Sequence, residues 1–126
     1  MMNDKIYQFI FDEISNFLPA NWTKLVVSLE HSEDAYAYSY SYSFYVKTDG
    51  KYINCYDLDT SEEKIDATFS RIKEKVFKER SKLAKDKRWT NMTMIVDNDG
   101  NIKTEFDYEE TIDYQYMKAW KKKYLD

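Results

Sequence analysis

The chain has 126 residues, 43% hydrophobic and 17% aromatic, with 23 acids against 19 Lys and Arg and a formal net charge of −4. That length predicts one domain, residues 1–126, able to bury its own core, and the apolar content excludes a disordered polymer. A single cysteine excludes an intrachain disulfide, and two glycines with one proline leave little room for irregular loops. No apolar run reaches bilayer length, and the opening MMNDKIYQFIFDEI carries acids where a secretion signal carries bases. A soluble cytoplasmic protein is therefore expected, with no membrane partner.

Met2 to Leu18 predicts an amphipathic helix, because Ile6, Phe9, Ile10, Ile14, Phe17 and Leu18 recur at helical spacing. Asn3 suits its N-cap, and Pro19 stops it. Trp22 to Glu30 predicts a strand, and the polar run His31-Ser-Glu-Asp34 a turn. Ala35 to Val46, AYAYSYSYSFYV, alternates strictly. Tyr36, Tyr38, Tyr40, Tyr42, Phe44 and Val46 fall on one face of a strand, and Ala and Ser fill the other. That aromatic face requires a helical cover.

Asp49-Gly50 predicts a hairpin turn into a strand from Tyr52 to Leu58, with Cys55 a small buried side chain. Thr60-Ser-Glu-Glu63 reads as a capping box opening a helix from Ser61 to about Lys85. Its stripe of Ile65, Phe69, Ile72, Val76 and Leu83 suits it to cover the tyrosines, and its mixed Lys, Arg and Glu faces suit solvent and ion pairing. Trp89 to Val96 and Ile102 to Tyr108 predict a second hairpin around Asp97-Asn-Asp-Gly100. Calcium is excluded there, since EF-hand spacing would put Ile95 and Phe106 at ligand positions. Thr111 to Leu125 predicts a final helix with Lys121, Lys122 and Lys123 in its last turn. The order α-β-β-β-α-β-β-α describes an α+β fold with one mostly antiparallel sheet of about five strands.

Catalytic equipment is sparse. One histidine and one cysteine give no defensible nucleophile and base, both glycines sit in hairpin turns, and no Cys/His cluster offers zinc ligands. The nearest enzymatic pattern, a metal nuclease built from Asp57 or Asp59 with Glu62 and Lys64, puts two of its groups in a helix's first turn. A protein without enzymatic activity, cofactor or metal is expected. Charge is segregated: residues 60–88 hold ten bases and six acids, a net of +4, whereas residues 89–116 hold seven acids and one lysine, a net of −6. Glu105, Asp107, Glu109, Glu110 and Asp113 form a surface suited to a basic protein and repellent to nucleic acid, with Asp57 and Asp59 a second patch. Trp22, Phe106, Tyr108, Trp120 and Tyr124 are expected to hold the fold.

Several features together resemble the YezG-like immunity proteins, a family also typified by EsaG. They are Trp22 after the helix-ending proline, the aromatic strand ending in Phe44-Tyr45, Trp89 followed by Asp-Gly and Glu105-Phe-Asp-Tyr108, and the ending Trp120-Lys-Lys-Lys-Tyr124-Leu125. The resemblance implies a cytosolic antitoxin that binds and neutralises a secreted polymorphic toxin, several of which are nucleases. Ser32-Glu-Asp34 departs from the family pattern, where a glycine-containing turn often leads into the aromatic strand, and the identity of the toxin stays open. An adaptor module binding another protein, or itself, through the tyrosine strand is the alternative. Oligomeric state is open.

Overall fold

A computed structural model describes residues 3–33, 38–110 and 112–125. Helix α1 spans Asp4–Ser15, and the Asn3 side chain caps it by accepting the Lys5 N–H at 2.9 Å. Its buried face is Ile6, Ile10 and Ile14, as the spacing predicts. It ends at Ser15, before Pro19 can act, and the predicted start at Met2 lies outside the described residues.

Strand β1 (Trp22–Glu33) pairs antiparallel with β2 (Tyr38–Thr48). His31, Ser32 and Glu33 are therefore strand, not the predicted turn. Their pairing with Tyr40, Ser39 and Tyr38 overrides the turn propensity of a polar run. Asp34 and the first part of the tyrosine run, Ala35 to Ala37, lie outside the described residues. Asp49 and Gly50 both take positive φ, 52° and 77°, and turn the chain into β3 (Lys51–Asn54).

The predicted strand to Leu58 breaks at Asn54. Its side chain accepts the Tyr56 N–H at 3.0 Å and opens a 3-10 turn over Cys55–Asp57, local bonding that competes with the sheet ladder. Tyr56 then reaches Asp66 with its hydroxyl at 2.8 Å, and Tyr42 donates to the same carboxylate oxygen at 3.0 Å. Asp66→Ala removes both acceptor bonds and should cost about 1–3 kcal/mol. A thermal midpoint unchanged from wild type would show that water replaces the carboxylate.

Helix α2 (Glu62–Ser81) starts one residue later than the capping box implies: Ser61, not Thr60, accepts the Lys64 N–H at 3.2 Å. It stops short of Lys85 because Arg88 folds back onto its end, donating to the carbonyls of Leu83 at 3.1 Å and Ser81 at 3.0 Å. Strands β4 (Asn91–Asp97) and β5 (Ile102–Asp107) form the second hairpin. Helix α3 covers Tyr114–Tyr124 with Asp113 as its cap, and Thr111, where the predicted helix begins, lies outside the described residues.

The five strands lie in the order β3-β2-β1-β4-β5, each neighbour antiparallel. Register places Phe44, Val27 and Met94 in one row and Tyr42, Leu29, Met92 and Phe106 in the next, all on one face. Helices α1 and α2 cover that face, filling it with Ile10, Ile14, Phe69, Ile72 and Val76. The predicted cover over the tyrosines is observed: Phe69 stacks on Tyr42 with centroids 4.2 Å apart, and Phe77 meets Tyr40 edge-on at 4.8 Å. Arg71 clamps the two helices by reaching Glu13 with bonds of 2.9 and 3.1 Å. At the C-terminal end of α2, its cap residue Lys82 pairs with Glu79 at 3.0 Å, in keeping with a solvated, ion-paired outer face.

Candidate functional site

The opposite face of the sheet is polar where α3 crosses it. Ser28, Asn91 and Thr93 are buried there and satisfy one another in sequence. Asn91 donates to Ser28 at 3.0 Å, Thr93 donates to Asn91 at 2.9 Å, and the Trp120 indole N–H donates to Thr93 at 2.9 Å. A buried polar floor tolerates this arrangement only because each group finds a partner. Trp120 is thereby pinned, 4% exposed, with its ring near Tyr45 and Tyr124.

Beside it, a cavity of about 430 Å³ opens between α3 and the β4–β5 hairpin, lined by Glu105, Asp107, Tyr116, Lys123 and Tyr124 among others. The Tyr124 hydroxyl donates to Glu105, and Lys103 lies 3.3 Å and Lys123 4.0 Å from the same carboxylate. The tyrosine bond, ahead of the lysines, holds Glu105 below the usual carboxylate range, while burial and Glu105 push the Tyr124 phenol up to about 12. Burial, then a bond to Asp107, likewise raises Tyr116.

A carboxylate with a depressed folded pKa stabilises the fold above its unfolded pKa and loses that contribution as pH falls through the folded one. Tyr124→Phe should therefore shrink the stability lost on acidification below pH ~4.5, since it removes the bond that lowers Glu105. Urea titrations at pH 7 and pH 3 measure it. An equal acid loss in the variant would assign the effect to other carboxylates.

The predicted acidic residues divide by what they do. Glu105 is engaged inside the cavity wall. Asp107 accepts the N–H groups of Tyr108 at 2.7 Å and Glu109 at 3.2 Å, and Asp113 accepts the Tyr116 N–H at 3.0 Å. Asp107 and Asp113 thus hold the backbone at the two ends of the β5–α3 connection. Glu109 and Glu110 lie exposed on it. Two aromatic rings accompany them: Tyr108 is 54% exposed and Tyr114 75%. Tyr108 is thus not a core residue, contrary to expectation, because β5 ends at Asp107 and the chain turns out of the sheet before it. Trp120 and Phe106, by contrast, are packed inside. Asp57 and Asp59 are exposed after β3, at the sheet edge opposite β5, so the two acidic patches are separate.

Glu62 and Lys64, the other members of the nuclease pattern, are exposed in the first turn of α2. Among the described residues, no group of three or more His, Cys, Asp or Glu is placed to hold a metal ion. Cys55 is buried, and burial raises its thiol pKa. His31 belongs to β1, buried against Phe77 at 4.4 Å, and is not on a loop. No helix among the described residues is long and apolar enough to cross a membrane.

These features define an α+β protein with helices on both faces of a five-stranded antiparallel sheet and an acidic, aromatic connection exposed at one end. Residues 3–126 match the model of the immunity protein YezG-like family, and the chain belongs to that family. No curated protein matches it.

Proposed function

We propose that this chain is a cytosolic antitoxin that neutralises a cognate protein toxin by stoichiometric binding, without chemistry of its own. The observation that carries the proposal is the exposure of Tyr108, Glu109 and Glu110, with Tyr114 exposed at the start of α3, in a chain of an immunity family. Exposed tyrosines supply large contact area at low entropic cost, and carboxylates beside them steer a basic partner into register. Asp107 fixes the backbone at Tyr108 and Glu109, and Asp113 fixes the first turn of α3 that carries Tyr114, so these groups are positioned before contact.

The toxin that fits is one with a Lys- and Arg-rich cleft, as a nuclease needs for its phosphate substrate. Occupation of that cleft by carboxylates blocks substrate by charge and volume together. Nucleic acid itself is repelled by this surface. Co-expression with the toxin encoded beside this chain tests the proposal. A complex holding one antitoxin chain per toxin, with growth restored, is expected. Failure to bind that toxin at micromolar concentration overturns it.

A further inference from the structure

The two outer strands of the sheet are guarded very differently. On β5, Lys103, Glu105 and Asp107 alternate along the edge, a common device against unwanted strand pairing. On the other side, β3 covers only Tyr45–Thr48 of β2. The 3-10 turn after β3 then packs near Phe44 and Ser43, where the buried Cys55 thiol lies. From Tyr38 to Tyr42, β2 has no strand on its outer side among the described residues, and the sequence YSYSY holds no charge, proline or glycine. Uncharged β-forming edges of this kind invite strand addition.

Backbone polarity on this edge follows from the ladder. The His31 N–H bonds the Thr90 carbonyl at 2.8 Å, so His31 directs its backbone toward β4, away from its partner Tyr40. Tyr40 sits in a non-hydrogen-bonded pair and turns its own N–H and C=O outward. Tyr42, two residues on and opposite Leu29, does the same. Ser39 and Ser41 are exposed, their side chains on the face opposite the half-buried Tyr40 and Tyr42 rings.

We infer that β2 pairs with β2 of a second copy of this chain, antiparallel about a two-fold axis at Ser41, making a symmetric dimer through a continuous sheet. Only an extended strand matches a row of outward amides and carbonyls, and this strand matches itself. With the axis at Ser41, Tyr40 of one copy faces Tyr42 of the other, and those pairs exchange about four backbone hydrogen bonds. The close, non-hydrogen-bonded position at the centre falls on two serines, small enough for the short separation there. Rings stay on the helix-covered face and serines on the other in both copies, so the pleat is continuous. Neutral side chains along the strand let two chains of net charge −4 approach here, where the acidic β5 edge repels its own kind. The contact leaves the β5–α3 connection free, so a dimer accommodates two toxins.

Sedimentation velocity of the full chain at about 0.1 mM, a concentration that reveals micromolar self-association, tests the inference. The expected result is a dimer whose dissociation constant rises at least about tenfold in Ser41→Lys, a charge placed at the axis. Ser39→Lys provides a second variant if the first is misfolded by circular dichroism. Amide hydrogen exchange at Tyr40 and Tyr42 should slow as concentration rises. A wild-type monomer throughout that range, a dimer indifferent to both lysines, or a dimer with unprotected Tyr40 and Tyr42 amides overturns it. Toxin binding by the monomeric variant is read separately, so failure of the dimer and failure of the antitoxin proposal are distinguishable.

Discussion

Phe69→Ala is expected to cost about 3–5 kcal/mol, the range for truncating a fully buried aromatic side chain. That is a large share of the ~5–15 kcal/mol that holds a typical domain. Phe69 is 0% exposed, stacked on Tyr42 at 21° between planes and 5.9 Å from Phe44, so it is the side chain through which α2 seats on the aromatic face of β2. Collapse into the vacated space is restricted. Tyr42 is anchored through its hydroxyl to Asp66, a residue of the same helix, and cannot swing inward without losing that bond. Urea unfolding should show a lower midpoint with little change in slope. Phe77→Ala should cost less, because Phe77 is only half-buried. Equal losses at the two positions would mean that the C-terminal half of α2 contributes as much packing as its centre.

Local rules carried most of the architecture. The alternation of Tyr40, Tyr42, Phe44 and Val46 depends only on the two-residue period of a strand, and all four share the covered face. Asp49-Gly50 specifies its turn through backbone conformation, independent of the rest of the chain. Where neighbours decide, sequence patterns mislead. The alternation from Tyr52 to Leu58 continues past the point at which Asn54 bonds the Tyr56 amide and ends the strand. His31 belongs to a polar run, yet the Thr90 carbonyl and the Phe77 ring draw it into the sheet.

The site divides in the same way. A dense acidic run is visible in the sequence, but which carboxylates face outward depends on how α3 crosses the sheet. Asp113, expected only as part of an acidic surface, caps α3 by accepting the Tyr116 N–H, and Asp107 is spent on the turn that follows β5. Exposure of Tyr108 follows from the end of β5 at Asp107, where the alternating pattern gives no sign of a stop.

Glu109→Lys with Glu110→Lys should weaken binding to a basic toxin by about 10- to 100-fold, mostly through a slower, less salt-sensitive association rate. Tyr114→Ala should cost about 2 kcal/mol of binding if its ring fills a pocket on the toxin, and it should act on dissociation. Both sites are exposed and outside the core, so neither variant should shift the thermal midpoint appreciably. Glu105 and Asp107 are poorer test positions despite their charge. A lysine at 105 would lose the Tyr124 bond and face Lys103 and Lys123, and one at 107 would remove the acceptor that sets the turn. Loss of affinity in either would confound a loosened α3 with a lost contact. Asp57→Lys with Asp59→Lys is the informative control, because those carboxylates carry similar charge at the opposite edge of the sheet. Surface plasmon resonance across a salt series separates the cases. If affinity falls with reversal at 57 and 59 and holds at 109 and 110, the toxin sits on the β3 edge, and the exposed Tyr108 and Tyr114 serve something else.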